Sequence, residues 1–167
     1  MRVYVPATLP MLQELVSDGF LQSRSGTAFA VTPTLREAYA EGDDEELAEV
    51  ALGEAALASL RLLSGEPESG LPLRRAVVVA DAADEKVTLR PDLDDAVVRV
   101  SGRLSMDQVA AVYVDNADAE SAVLAAIEVI DDADLGDEDA ELTVGDAQDH
   151  ALAWYATQEL PFLLDLL

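Results

Sequence analysis

The residues best suited to chemistry lie near the end of the chain, around its one histidine. His150 follows Asp146, and a carboxylate beside a histidine can orient the imidazole as a general base. The spacing predicts a helix from Asp146 to about Leu160, on which Trp154 and Gln158 lie one and two turns beyond His150. We consider three roles for this stripe: packing on a sheet, lining a ligand pocket, and catalysis by His150.

The sequence contains no established catalytic motif beside this histidine. It has no Gly-x-Ser-x-Gly turn and neither of the Gly-rich patterns that bind phosphate. It has no cysteine, which excludes disulfides, thiol catalysis and Cys-ligated metals. These absences favour a non-enzymatic protein, and we expect no cofactor. They do not exclude an enzyme, which stays an alternative.

Two further groups of side chains are candidates for binding. Tyr4 and Tyr113 each sit in a Val-Tyr-Val segment, and we group them with His150, Trp154 and Gln158 as candidates for a ligand pocket. Arg74 and Arg75 are the only adjacent basic residues. They are candidates for holding a phosphate or a carboxylate, although neutralisation of nearby acids is the interpretation we favour.

The acidic segment Asp131–Glu141 offers the oxygen ligands that calcium prefers. Its spacing does not match an EF-hand, because Gly136 comes one position early and Thr143 stands where the bidentate glutamate belongs. We therefore predict no metal site.

Charge is the extreme feature of the composition. The 34 acidic and 10 basic residues give a net charge of −24, and residues 116–167 contain 14 acids and no lysine or arginine. Such a surface repels nucleic acid and anionic membranes and attracts basic proteins. We expect no direct binding to nucleic acid or membrane, and we consider a protein partner or a homo-oligomer.

Hydrophobic periodicity and capping residues predict the main elements. Val109–Asp115 reads as a buried strand that leads into a helix at about 118–131, and Arg2–Val5 as a strand that leads into a helix between Thr8 and Gly19. Further predictions are listed in chain order: a strand at Thr27–Thr32, helices at about 33–40 and 43–63, strands at 74–80, 86–89 and 97–101, and a strand at Ala140–Val144.

These elements predict one α+β or α/β domain over residues 1–167. A single mixed sheet with helices packed on it would contain the two Val-Tyr-Val strands side by side. The pattern β-α-β-α occurs twice, at about 1–65 and 109–167, around a β-rich middle at about 71–104. No apolar stretch approaches the length of a membrane span and the start is unlike a signal peptide, so we expect a cytoplasmic protein.

Several segments together resemble an uncharacterised family of actinobacterial proteins. They are Met1–Pro6 with Leu9-Pro10, Ala28–Pro33 with Leu35–Glu37, Ala55–Leu63, and His150–Glu159. The likeness covers most of the chain and is weakest through Glu66–Arg99. The resemblance implies a bacterial source and a cytoplasmic setting, and it implies no activity, ligand or catalytic residue.

Three functions are compatible with these features. The first is an acidic, non-enzymatic binding or accessory protein. The second is a small-molecule enzyme or ligand-binding domain with a pocket near His150, Trp154 and Gln158. The third is an acidic decoy that occupies the nucleic-acid-binding surface of a basic protein.

Overall fold

The computed structural model describes residues 1–66 and 68–167, and within them the chain forms nine strands and six helices. The strands are β1 (Arg2–Ala7), β2 (Phe20–Leu21), β3 (Thr27–Phe29), β4 (Ala76–Asp81), β5 (Val87–Leu89), β6 (Val97–Val100), β7 (Leu104–Ser105), β8 (Val109–Val114) and β9 (Ala153–Tyr155). The helices are α1 (Leu9–Asp18), α2 (Pro33–Ala38), α3 (Asp44–Ser64), α4 (Glu120–Asp134), α5 (Glu138–Gln148) and α6 (Leu160–Asp165).

Seven of these strands form one sheet in the order β5-β6-β3-β1-β4-β8-β9, and β2 pairs with β7 in a small second sheet. This arrangement confirms the α+β prediction. All of the observed strand pairs are antiparallel, so the prediction of a mixed sheet is wrong in that respect. Tyr4 and Tyr113 do share one sheet, but β4 lies between their strands instead of the two strands pairing directly.

The internal strand β4 is apolar along most of its length because both of its edges and both of its faces are covered. Its register places Val78 opposite Val5 on one side and opposite Val112 on the other. Successive side chains alternate between the faces, so Val78 packs on one layer of helices while Val77 and Val79 pack on the other.

Helices from different parts of the chain cover the two faces. On one face α1 and α6 pack on the sheet, with Leu12 and Leu160 fully buried. On the other face α2 and α3 pack on it, with Leu35 and Leu47 buried. The far end of α3 packs against the α4–α5 pair in a third cluster that contains Ile130.

Local sequence signals set the ends of the helices in the first half of the chain. The Thr8 hydroxyl accepts a hydrogen bond from the Met11 amide at 3.4 Å, and Gly19 ends α1 with a φ of +83°, which suits glycine. The Asp43 carboxylate accepts from the Glu46 amide at 2.9 Å and so caps α3. These positions confirm both predicted helices.

The predicted strand at Ala140–Val144 is wrong, because those residues lie inside α5. The Asp137 carboxylate caps this helix by accepting a hydrogen bond from the Ala140 amide at 2.9 Å. Ala140, Val144 and Ala147 are buried at the spacing of one helical face. The second half of the chain therefore runs β-α-α-β-α, unlike the first.

The predicted helix from Asp146 to Leu160 is also wrong. Helix α5 ends at Gln148, and Ala153–Tyr155 instead form β9, in which Trp154 lies opposite Tyr113 of β8. Pairing with an apolar strand outweighs the helical tendency of this alanine-rich segment. His150, Trp154 and Gln158 consequently do not form a helical stripe.

Glu54 of α3 carries a carboxylate in an unfavourable place. It lines a small cavity of about 60 Å³ together with Asp94. Burial raises the pKa of the Glu54 carboxyl above its ordinary value, and repulsion from Asp94 raises it further, although Arg61 opposes the shift. The ionised form of Glu54 therefore destabilises the fold.

We expect Glu54→Gln to raise the free energy of unfolding near pH 7. A raised folded-state pKa means that the destabilisation is absent below the ordinary pKa of 4.5 and is fully present above the raised value. The gain should therefore shrink toward zero as the pH falls to about 4. Urea unfolding of both proteins at the two pH values measures this difference.

The matched control is Glu128→Gln, at an exposed position of α4. It removes the same charge from a protein of net charge −24 without removing a partly buried carboxylate. An equal gain in the two variants would mean that overall charge repulsion, and not the setting of Glu54, causes the effect.

Candidate functional site

A cavity of about 470 Å³ opens between α3, the sheet at β8 and the turn that joins α5 to β9. Its walls come from four separate segments of the chain. The lining residues are Glu49, Leu52, Gly53 and Ala56 of α3, Arg75 and Tyr113 of the sheet region, and Gln148, His150, Ala151 and Leu152 from the end of α5 and the following turn. We call this space the α3 cleft.

The α3 wall of the cleft follows one stripe of the helix. Glu49, Leu52, Gly53 and Ala56 are spaced i, i+3, i+4 and i+7, which places them on the same face. Gly53 is unusual there, because glycine in a helix interior costs about 0.5–1 kcal/mol relative to alanine. A Cβ built on Gly53 would have no neighbour within 4 Å in the described part of the chain. Packing within the protein therefore does not require glycine at this position.

Arg75, which lines the cleft, belongs to a buried ion pair, and we call its guanidinium and the polar groups bound to it the base of the cleft. Asp115 is fully buried and Arg75 is 1% exposed. The Arg75 guanidinium donates from Nε to Asp115 Oδ2 at 2.9 Å and from Nη2 to Oδ1 at 2.7 Å, and the Arg75 amide also donates to Oδ2 at 2.8 Å. This bidentate geometry, with a further backbone donor, is the arrangement that compensates two charges removed from water.

The same guanidinium ties the α5–β9 turn to the sheet. Arg75 Nη2 donates to the His150 carbonyl at 2.8 Å, and Nη1 donates to Gln148 Oε1 at 2.9 Å. Gln148 Nε2 in turn donates to the Gly53 carbonyl at 3.4 Å. The pair thus positions one wall of the cleft, and it links that wall to α3.

Four of the five N–H bonds of the Arg75 guanidinium have partners in these contacts. The second N–H of Nη1 has none among residues 1–66 and 68–167. Both residues that the outer end of the guanidinium reaches, Gln148 and His150, also line the cleft. A hydrogen-bond donor is therefore available at its base.

The structure brings only part of the predicted pocket together. Tyr113 and His150 both line the α3 cleft. Trp154 lies on the edge strand β9, opposite Tyr113 of β8, and is 56% exposed. Gln158 is exposed in the turn before α6. Tyr4 lines a separate concavity of about 410 Å³ with Arg2 and Arg36. Burial raises the pKa of the Tyr4 phenol, and the nearby Tyr113 raises it further.

The two candidate anion-binding residues face acids of the chain itself. Arg75 is held by Asp115 as described above. Arg74 Nε lies 3.5 Å from Glu120 Oε1, and its Nη1 donates to the Asp115 carbonyl at 3.4 Å. Both positive charges are thus close to carboxylates before any ligand binds.

Three residues that shape this site were not identified from the sequence. Gly53 carried a signal, because an isolated glycine in a long helical pattern calls for a packing or functional reason. Asp115 and Gln148 carried none, since an acid after a strand and a glutamine late in a helix are ordinary. Their roles arise only when the fold brings them to Arg75.

Among the described residues, no group of three or more His, Cys, Asp or Glu side chains is arranged to hold a metal ion. No helix in the described ranges has both the length and the apolarity to cross a membrane.

The fold and cleft define an antiparallel α+β protein with a concave site at one end of its central sheet. Residues 1–164 match the model of a family of unknown function, DUF6912, and the chain belongs to that family. Comparison with curated proteins and with solved structures gave no match.

We expect Arg75→Met to lower the free energy of unfolding by about 3–5 kcal/mol, because Asp115 becomes a buried carboxylate without a counter-charge. The double variant Arg75→Met, Asp115→Leu should recover most of this loss, because no buried charge remains. Urea unfolding of the single and double variants measures the interaction.

The control is Asp81→Asn in the exposed Arg2–Asp81 pair, where we expect a loss of about 1 kcal/mol or less. A double variant as unstable as Arg75→Met would show that the contacts to Gln148 and His150, and not the compensated charge, give Arg75 its importance.

Proposed function

We propose that this protein is a non-enzymatic binding protein that holds a small molecule in the α3 cleft. The volume of about 470 Å³ lies within the usual range for ligand sites of about 300–1,000 Å³. The cleft combines apolar walls from Leu52, Ala56 and Leu152 with a few fixed polar groups at its base. This combination is typical of ligand-binding sites.

The observation that carries the proposal is the glycine at position 53. The chain accepts a destabilising residue inside its longest helix, and the space that this residue leaves open belongs to the cleft. A ligand that contacts the helix backbone at this point supplies the reason that internal packing does not.

Binding is favoured over catalysis by how the polar groups are used. Arg75 and Asp115 neutralise each other, and His150 contributes its backbone carbonyl to Arg75. In the described ranges the His150 imidazole accepts or donates no hydrogen bond to a carboxylate, although an oriented general base requires such a partner. Asp146, the expected partner, lies on α5 two residues before the end of the helix.

A second candidate is binding to a partner protein, as an accessory factor. Two observations support it: Phe162 and Leu166 are 72% and 85% exposed near the end of the chain, and the edge strand β9 carries the exposed Trp154. The acidic decoy rests on net charge alone. A cytoplasmic setting and an actinobacterial source likewise stay predictions.

The test is a thermal-shift screen of soluble metabolites against the wild type and Gly53→Leu. Compounds that bind in the cleft should raise the melting temperature of the wild type and leave that of Gly53→Leu unchanged, because the leucine side chain occupies their space. Binding isotherms for each such compound then give the affinity lost.

Gly53→Ala and Gly145→Ala form a matched pair of test and control. Each adds a methyl group inside a helix where a Cβ meets no neighbour within 4 Å in the described part of the chain. Both should raise stability by about 0.5–1 kcal/mol. Only the change at position 53 should weaken binding, because Gly145 does not line the cleft. A screen in which no compound distinguishes the wild type from Gly53→Leu would refute the proposal.

A further inference from the structure

We infer that the ligand of the α3 cleft is an uncharged molecule with an apolar or aromatic body and a carbonyl-type hydrogen-bond acceptor. This inference rests on the proposed function and names the chemical class that the same cleft selects.

The base of the cleft has no net charge to offer. The Arg75 guanidinium and the Asp115 carboxylate meet at 2.7 and 2.9 Å in bidentate geometry, so the attraction of either charge for a ligand is offset by the other. A charged ligand that reaches this buried pair loses its own hydration and finds no free counter-charge there. A neutral ligand avoids that loss.

The surroundings of the cleft disfavour an anion further. Glu49 is exposed on the α3 wall, and the protein carries a net charge of −24. An anion must therefore approach through a negative field before it reaches Arg75. A cation enters that field easily, but a cation that carries only N–H donors cannot accept the hydrogen bond of the unused Arg75 donor at the base.

The base also requires an acceptor. The second N–H of Arg75 Nη1 lies unpaired at a position where the whole residue is 1% exposed. A ligand that excludes water from this N–H must accept its hydrogen bond. Otherwise the unpaired N–H carries a desolvation cost that weakens binding. An amide, lactam or similar carbonyl oxygen meets the requirement without adding charge.

Benzamide, benzoate and benzamidine test this class, because they share one ring and one shape and differ in charge and in the carbonyl acceptor. Near pH 7 they are neutral, anionic and cationic respectively. We expect ligand-observed NMR to show that benzamide binds the wild type about tenfold more tightly than either ion. Gly53→Leu should abolish the benzamide signal, and Gly145→Ala should keep it.

Benzoate binding equal to or tighter than that of benzamide would overturn the inference, since Arg75 would then act as an anion site. Equal or tighter binding of benzamidine, persistence of benzamide binding in Gly53→Leu, or no binding by any of the three would overturn it as well. The metabolite screen separates the two proposals: hits that depend on Gly53 would preserve the binding function even where the chemical class fails.

Discussion

The buried pair between Arg75 and Asp115 is the interaction on which the arrangement of this protein most depends. It joins residues that directly precede β4 and follow β8. The Arg75 amide also donates to the Asp115 carboxylate, and the Asp115 amide donates to the Arg75 carbonyl at 3.1 Å. The guanidinium then holds the α5–β9 turn through Gln148 and His150. One side chain therefore fixes the end of the sheet, the wall of the cleft and the electrostatics of its base.

Much of the fold could be predicted, because the local sequence of several segments determines their secondary structure. The β-branched, apolar run Val109–Val114 favours a buried strand, and Thr8, Gly19 and Asp43 mark helix ends through local hydrogen bonds. Strand β9 could not be predicted in this way. Ala153–Tyr155 is extended because it pairs with the free edge of β8. The residues next to it in sequence carry no signal for that tertiary contact.

The site was less predictable than the fold for a related reason. Tyr113 and His150 stood out by residue type, and both line the cleft. Its decisive features are a missing side chain at Gly53 and a partnership between Arg75 and Asp115, which are 40 positions apart. Helix periodicity indicates which face of α3 is turned inward, but it cannot indicate that part of that face remains uncovered.

The position of β4 also has a consequence for how the chain acquires its structure. Arg2 pairs with Asp81 and Ala7 with Ala76, so the first strand finds its principal neighbour some 70 to 80 residues later. During synthesis β1 therefore emerges before this neighbour, and the two strands can pair only after the chain has been made to residue 81. A sheet with such high contact order is expected to form late and cooperatively, after much of the chain has left the ribosome.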